Sequence, residues 1–285
     1  MSINYDKQFH TLHSSESGDS ESFFKGSRHH LHTQNANKTF KWFATDQPER
    51  FNKVSGYTEA DIDYKFNSDG YRCEELAPSP VLFLGCSYTF GVGIRSEETW
   101  PQRFAKHLGI PCMNVAYPGA SIGFLQRTLV KTVPIVKPKH VIALIPYSYR
   151  FEFISTNKGN PIKVWTASGV NSGVFKGEDK ERLYSYELFT RQENEDFQLA
   201  SGLFMIKNYL AAMGIEFSYT LWTYENAVTD YFNKICPTNI DHMQTDIFNN
   251  HYRWKDLSKK ARDSSHPAKE YHEHYSQFLA EKIHV

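Results

Sequence analysis

The sequence of 285 residues predicts an α/β fold in which helices cover both faces of a mostly parallel sheet. Short apolar runs bounded by glycine, proline or polar residues indicate buried strands. Between them lie stretches whose apolar residues recur every three or four positions, as on one face of a helix. Alternation of the two patterns implies right-handed crossovers and three layers, α/β/α, around one sheet.

Four runs are predicted as the strands of this sheet. Each is short and largely apolar, which is typical of a strand covered on both faces. The segment Pro78-Ser79-Pro80 marks the boundary before the first of them. The runs cover residues 81 to 84, 112 to 116, 140 to 146 and 215 to 222.

Four stretches are predicted as helices. Thr99 is expected to cap the first, and Gly109 to stop it. Pro134 is expected to kink or end the second, and Pro267 to open the last. The first three cover residues 99 to 108, 122 to 136 and 197 to 212, and the fourth runs from 267 toward the carboxyl end.

Three segments stand outside this alternation, and one of them is the irregular stretch of residues 224 to 260. Residues 1 to 80 form a predicted amino-terminal extension, whose polar, aperiodic beginning is expected to be partly disordered. Residues 155 to 196 form a predicted insertion in the α/β domain of residues 81 to 285. Because a connection of that length in a compact domain is usually functional or disordered, the insertion is a candidate lid or substrate-contacting segment.

The composition narrows the classes of function. Lysine plus arginine and aspartate plus glutamate both number 32, which disfavours nucleic acid or a membrane surface as the main partner. The four cysteines lack CxxC spacing and are expected to be free thiols. With no secretion signal and no long apolar run, we expect a soluble, cytoplasmic protein. The amino-terminal extension is a candidate surface for oligomerisation.

The first predicted strand ends at Gly85-Cys86-Ser87, and this turn carries the strongest functional signal in the chain. A serine at the carboxyl end of such a strand lies where open α/β sheets bind ligands, so Ser87 is a candidate nucleophile. An alternative is that the serine only caps the next helix. The segment by itself leaves both interpretations open.

Near the carboxyl end, Asp263-Ser264-Ser265-His266 supplies what a serine nucleophile needs, a base and a group that orients the base. The spacing lets the Asp263 carboxylate reach Nδ1 of His266, which leaves Nε2 free to face Ser87. The alternative is that Asp263 or Ser265 caps the last helix and His266 lies on the surface.

A third segment, residues 114 to 121 (NVAYPGAS), follows the second predicted strand. Its Gly119 would let a backbone N–H approach a ligand closely, which is one way to hold an oxyanion without side chains. Taken alone, the Pro118-Gly119 pair indicates only a turn.

In this order and spacing, the three segments resemble the SGNH (GDSL-type) hydrolases, a family of serine esterases and acylhydrolases. The family's first block, GDSxTxG, appears as GCSYTFG from Gly85 to Gly91, and its DxxH block as Asp263 to His266. The resemblance implies a flavodoxin-like sheet and a Ser87, His266, Asp263 triad. It also implies an oxyanion hole at the N–H groups of Ser87 and Gly119.

Two departures from the family pattern concern the site. Cys86 replaces the family's aspartate and is expected to point into the core, away from Ser87. The family's GxND block is absent after the third strand, and with it an asparagine oxyanion donor. Tyr147, Ser148 and Arg150 are candidate substitutes, while Arg150 and Glu152 could equally form a surface ion pair.

The predicted activity is hydrolysis of a small, acetyl-like ester of a carbohydrate or small molecule, without a metal or cofactor. Two alternatives stay open, a non-catalytic relic that binds a carbohydrate or protein, and a sugar O-acyltransferase. Two histidine-rich segments could bind a metal, but adjacent histidines in polar surroundings are usually solvated. They are His29, His30 and His32, and His272 with His274.

Overall fold

A computed structural model describes residues 35–148, 150, 152–157, 160–166, 192–221 and 259–283. Its central sheet has four parallel strands, which are β3 (Val81–Gly85), β4 (Met113–Asn114), β5 (His140–Ile145) and β8 (Glu216–Leu221). Their order across the sheet is β4-β3-β5-β8.

In this order β3 is an inner strand, between β4 and β5. The chain leaves β3 for β4 on one side and then crosses back to β5 on the other. Such an order is that of flavodoxin-like folds, and the point where the connections diverge is where they bind ligands. The predicted parallel sheet is therefore confirmed, and the turn after β3 lies at its switch point.

Helices cover both faces of the sheet. On one face α2 (Trp100–Leu108) and α5 (Lys269–Lys282) bury Trp100, Phe104, Tyr275 and Leu279 against Phe83 and Leu144. On the other face α3 (Ile122–Val136) packs on β3, α4 (Gln192–Ala212) packs on β8, and the two helices contact each other. The short helix α1 (Ser87–Phe90) follows β3 directly. The three-layer prediction is confirmed.

The two residues predicted to begin and end α2 do so. The Thr99 hydroxyl accepts a hydrogen bond from the Gln102 N–H, and Gly109 ends the helix in the left-handed conformation. Pro134 lies inside α3 near its end. Two boundaries differ from the prediction, because α4 begins at Gln192 and α5 begins at Lys269, two residues after Pro267.

The predicted insertion contains regular structure at its beginning. Strands β6 (Glu152–Asn157) and β7 (Asn160–Thr166) form an antiparallel hairpin that the sequence pattern did not predict. Residues 167–191 lie outside the described part of the chain, so the lid hypothesis stays a prediction.

The described part of the extension packs on the same chain. Strands β1 (Thr39–Phe40) and β2 (Tyr64–Lys65) pair antiparallel, and a 3₁₀ turn covers Pro48–Arg50. Aromatic rings of the extension contact rings of the α/β domain: Phe43, Tyr64 and Phe66 meet Phe90, and Phe43 meets Tyr117. Residues 1–34 are outside the described ranges.

Three cysteines, Cys73, Cys86 and Cys112, are described, and all are free thiols. Burial raises the pKa of Cys73 to about 12, which keeps its thiol protonated and unreactive at neutral pH. No helix in the described ranges has the length and apolar character that crossing a membrane requires. The cytoplasmic location stays a prediction.

Candidate active site

The carboxyl edge of the sheet brings three predicted site segments together. Gly85, at the end of β3, lies in register with Leu144 near the end of β5. The loop after β4 is tied to the same edge, because the Tyr117 N–H donates to the Gly85 carbonyl (3.3 Å). Residues after β3, β4 and β5 therefore face one region, as ligand-binding loops do in open α/β sheets.

Ser87 is the first residue of α1, and it is not the helix cap. The cap position belongs to Cys86, and no side chain makes a capping hydrogen bond there. Ser87 is 4% exposed. The alternative in which the serine merely caps a helix is therefore wrong.

Gly85 allows the sharp turn from strand to helix. A Cβ at Gly85 would lie 2.0 Å from Thr89 Oγ1 and 3.0 Å from the Leu144 carbonyl oxygen. Only glycine therefore lets α1 fold back over the end of β3. The turn holds Ser87 at the sheet edge.

Arg72, from the extension, holds the segment that follows α1. Its buried guanidinium donates to the carbonyl oxygens of Gly91 (2.7 Å), Ile94 (2.9 Å) and Phe90 (3.3 Å). It also lies 4.3 Å from the centre of the Tyr64 ring. These contacts fix the backbone that supports the candidate nucleophile, and Arg72 was not predicted as a site residue.

The Asp263 carboxylate and the His266 imidazole are paired as predicted. The distance from His266 Nδ1 to Asp263 Oδ2 is 2.6 Å. The other carboxylate oxygen, Oδ1, accepts from the backbone N–H groups of Ser265 (3.1 Å) and His266 (2.9 Å). With Nδ1 engaged in this way, Nε2 is the ring nitrogen that can exchange a proton with a ligand or a nucleophile.

The environment of Asp263 keeps its carboxyl group charged. Burial by itself would raise the pKa of Asp263, but the hydrogen bonds and charge of His266 and the hydrogen bond from Ser265 outweigh it and hold the pKa well below its usual value. The Ser265 hydroxyl donates to Oδ2 at 2.6 Å. A carboxylate that stays ionised is suited to orient an imidazole and to stabilise its protonated form.

The alternative roles for Asp263 and His266 are wrong. Helix α5 has Ala268 at its cap position, with no side-chain capping bond. The Ala261 N–H donates to the His266 carbonyl (2.9 Å), and Pro267 pairs with Lys260 in an isolated bridge. This closed loop, not a helix start, shapes the DxxH segment, and the His266 side chain is only 13% exposed.

The His266 ring lies beside the candidate nucleophile's helix. Its centre is 5.3 Å from the centre of the Tyr88 ring, and Tyr88 directly follows Ser87. Within the described residues, the hydrogen bonds of the His266 ring involve Thr45, Asp263 and Ser265 and do not include Ser87. The hydrogen bond between a nucleophile and its base often tightens only when substrate binds.

The glycine loop after β4 contains a tight turn. Gly119 has φ +77°, and the Ala120 N–H donates to the Tyr117 carbonyl (3.2 Å), so Pro118 and Gly119 occupy the centre of a turn. The Asn114 side chain donates to the Thr89 carbonyl (2.9 Å) and thereby ties this loop to the end of α1.

The candidates for the missing asparagine follow β5 at the same edge. Ser148 is buried, and Tyr147 and Arg150 are half-buried. The Arg150 guanidinium carbon lies 5.5 Å from the centre of the Tyr147 ring, and the Arg150 N–H donates to the Tyr147 carbonyl (3.1 Å). The side chain of Glu152 lies outside the description, so the proposed ion pair stays a prediction.

Two further predictions concern Cys86 and the histidine segments. Cys86 is 2% exposed and belongs to the core, as predicted. His272 is buried instead of solvated, and its Nδ1 accepts the Trp100 N–H (3.1 Å) at the start of α2. His29, His30 and His32 lie outside the described part. Among residues that the structure does describe, no group of three metal-binding side chains occurs.

The extension contributes side chains to this site that the sequence patterns did not predict. The Thr45 hydroxyl donates to Asp263 Oδ2 at 2.7 Å, and Asp46 pairs with Arg262, the residue before Asp263. Their separation in sequence exceeds 200 positions, and neither position carries a motif. No local signal could have identified them.

No protein-family model matches the chain, and no curated protein sequence matches it. The fold is similar to solved structures at low identity. One is a lipolytic protein of the G-D-S-L family from Desulfitobacterium hafniense, with 13% identity, 71% of this chain and 98% of that chain covered, and a TM-score of 0.42.

Two other similar structures are esterases. The esterase from Pseudoalteromonas is 15% identical and covers 71% of this chain and 95% of its own, with a TM-score of 0.42. An acetyl xylan esterase from Butyrivibrio proteoclasticus is 11% identical and covers 71% of this chain and 63% of its own, with a TM-score of 0.41. Since these TM-scores lie below 0.5, the function proposed below rests on the residues of this chain.

Proposed function

We propose that this protein is a serine esterase of the SGNH type that removes a small acyl group from a carbohydrate or small-molecule ester. One observation carries the proposal. The Asp263–His266 pair, joined at 2.6 Å through Nδ1, lies against Tyr88 at the sheet edge where Ser87 begins α1. A carboxylate paired with an imidazole beside a serine at the sheet edge supports a triad of the kind used for acyl transfer.

The proposed reaction has two steps. The Ser87 hydroxyl attacks the ester carbonyl while its proton passes to His266 Nε2, and the tetrahedral adduct then collapses to an acyl-serine. The leaving alkoxide takes that proton and departs as the alcohol. Water, deprotonated by His266, attacks the acyl-serine, and the carboxylic acid and free Ser87 are released. Asp263 holds the imidazole and stays ionised throughout.

The oxyanion formed in each step would be held by backbone N–H groups. Ser87 is the first residue of α1, so its N–H has no acceptor within the helix. Gly119 offers a second N–H from the turn after β4. Losing one oxyanion donor typically costs about 10²–10³ in rate, so activity can persist without the family's asparagine. Tyr147, Ser148 or Arg150 would supply a further donor.

The test is the hydrolysis of p-nitrophenyl acetate by the full chain and by Ser87→Ala. We expect the wild type to hydrolyse the ester and Ser87→Ala to lose at least about 10³ of that rate. Cys86→Ala is the matched control, because it removes the neighbouring buried thiol and should keep the activity. A Ser87→Ala protein as active as its parent would refute the proposal.

Two other functions remain as alternatives, and the missing asparagine favours the first of them. A non-catalytic relic would bind its ligand without turnover, and a fluorophosphonate would then fail to label Ser87. A sugar O-acyltransferase would be labelled but would pass the acyl group to a sugar hydroxyl instead of water. Product analysis with a sugar acceptor separates this transferase from the esterase.

A further inference from the structure

A tight turn in the amino-terminal extension, residues 43 to 46, reaches the candidate active site. Phe43 and Asp46 exchange two backbone hydrogen bonds, Phe43 N–H to the Asp46 carbonyl at 3.0 Å and the reverse at 3.1 Å. Ala44 has φ +58°, a left-handed conformation that is strained for a residue with a Cβ. Strained residues of this kind persist where the surrounding structure holds them.

The turn presents Thr45 to the Asp263 carboxylate. Thr45 Oγ1 lies 2.7 Å from Asp263 Oδ2 and 3.4 Å from His266 Nδ1. Oδ2 thus receives three polar contacts, from Thr45, Ser265 and His266. Ser265 and His266 belong to the same short loop as Asp263, whereas Thr45 comes from a separate segment. Its hydroxyl therefore fixes the carboxylate relative to the rest of the molecule.

The residue after Thr45 anchors the turn from the other side. Asp46 accepts from the Arg262 guanidinium at 2.6 Å and 3.1 Å, and both side chains are 0% exposed. Arg262 also stacks on Trp42, at 4.1 Å from the ring centre to the guanidinium carbon. Two consecutive residues of the turn, Thr45 and Asp46, therefore bind two consecutive residues of the loop that carries His266, namely Asp263 and Arg262.

The geometry points to Thr45 as a positioning residue of the active site, which aligns the Asp263 carboxylate with His266. This inference rests on the proposed function for its catalytic meaning. Thr45 contacts the carboxylate and imidazole that orient the base, not the substrate. Its loss should therefore lower kcat, because the imidazole is held less well, and leave KM nearly unchanged. The extension would then be part of the enzyme's catalytic machinery.

The experiment compares Thr45→Val, which replaces the hydroxyl by a methyl group of similar size, with Thr45→Ser, which restores the hydroxyl. We expect Thr45→Val to lower kcat for p-nitrophenyl acetate by about 10- to 100-fold, the scale of a hydrogen bond to a charged group. KM should change less than about twofold, and Thr45→Ser should recover most of the rate. Thr45→Ala removes the same hydroxyl with a smaller side chain, should Thr45→Val not fold.

Ser55→Ala is the matched control. Its hydroxyl also belongs to the extension, but it donates to the Asn52 carbonyl at 2.6 Å and makes no hydrogen bond to Asp263 or His266. We expect this variant to behave like the wild type. Wild-type kcat in folded Thr45→Val and Thr45→Ala proteins would overturn the inference, while the loss of activity in Ser87→Ala would leave the proposed function standing.

A second measurement does not depend on turnover. The His266 Nδ1 proton, hydrogen-bonded to the carboxylate, can be followed by NMR in the folded full chain. We expect its resonance to move or broaden in Thr45→Val and to return in Thr45→Ser. An unchanged resonance in Thr45→Val would overturn the inference. The resonance could change in Thr45→Val although a fluorophosphonate never labels Ser87 in the wild type. That result would support Thr45 as a positioning residue and reject the esterase.

Discussion

At the scale of single residues, two histidines six positions apart serve different purposes. His266 is partly exposed and hydrogen-bonded to a carboxylate. His272 is buried, and its Nδ1 accepts the Trp100 N–H at the first turn of α2. Burial, followed by the nearby cations, lowers the pKa of His272 to about 3. The folded protein therefore keeps His272 neutral, as its acceptor role requires.

His272 makes stability depend on pH. Below pH 6.5 the unfolded chain binds a proton at this histidine and the folded chain does not, so the free energy of unfolding falls as the pH drops toward 3. In His272→Asn, an amide oxygen can replace Nδ1 as acceptor without titrating. We expect His272→Asn to be less stable than the wild type at pH 7.5. This difference in the free energy of unfolding should shrink by up to about 1.4 kcal/mol for each pH unit below 6.5.

Urea denaturation at pH 7.5, 5.5 and 4.5 measures this difference for the two proteins. Other groups titrate alike in both, so their contributions cancel. A deficit that stays constant over the three pH values would show that His272 does not have the lowered pKa.

At the scale of elements, the segment after α1 packs directly on the loop that carries Asp263. The Arg262 N–H donates to the Gly93 carbonyl at 3.0 Å, and the Gly93 N–H donates to the Tyr64 hydroxyl at 2.8 Å. A Cβ at Gly93 would lie 2.9 Å from the Ala261 Cβ and 3.2 Å from the Asp263 nitrogen. Gly93 therefore sets the separation between the loops of the candidate nucleophile and the candidate base.

We expect Gly93→Ala to lower the free energy of unfolding by about 2–4 kcal/mol, from its positive φ of +77° and from the close contacts. Its esterase activity should fall more than that of other variants equally destabilised, because the loops move apart. Gly109→Ala is the matched control, since Gly109 has φ +67° but open space around it, and should cost about 1 kcal/mol with full activity. Thermal unfolding and p-nitrophenyl acetate assays measure both.

Equal activity per folded molecule in Gly93→Ala and Gly109→Ala would contradict this role for Gly93.

At the scale of the whole molecule, the extension and the α/β domain share a buried ion pair. Arg262 donates to Asp46 and to the backbone carbonyls of Lys41 (2.6 Å) and Glu59 (3.0 Å). Asp46 also accepts from the Tyr64 hydroxyl. Such a network binds the extension to the loop that carries Asp263, so the two parts should unfold together.

Asp46→Asn leaves the Arg262 charge buried without its carboxylate. We expect it to destabilise the protein by about 3–5 kcal/mol, the usual cost of breaking a buried pair. Asp63→Asn is the matched control, because Asp63 pairs with Lys41 at 2.7 Å on the surface, with about half of each side chain exposed, and should cost about 0–1 kcal/mol.

Urea denaturation followed by circular dichroism and by tryptophan fluorescence should give one coincident transition for the wild type. Two separate transitions, or equal effects of Asp46→Asn and Asp63→Asn, would contradict the shared network.

The sequence by itself determined the features that depend on neighbours along the chain. Strands were predicted where a short apolar run is bounded by glycine, proline or polar residues, and this pattern involves only neighbouring positions. The predicted strands include residues 81 to 84, 140 to 146 and 215 to 222. Thr99 and Gly109 marked the ends of α2 for the same reason. The Asp263 and His266 pair was predicted from its three-residue spacing, and the structure joins the two side chains.

The tertiary structure decided what depends on residues distant in sequence. Pro267 looked like a helix start, but the bridge from Lys260 to Pro267 closes a loop around Asp263 and delays α5 to Lys269. Thr45 reaches Asp263 across 218 positions. The sequence around a hydroxyl or carboxylate in an irregular segment does not indicate which distant residue that group will contact. Only the packing of the extension on the α/β domain makes Thr45 a neighbour of the candidate triad.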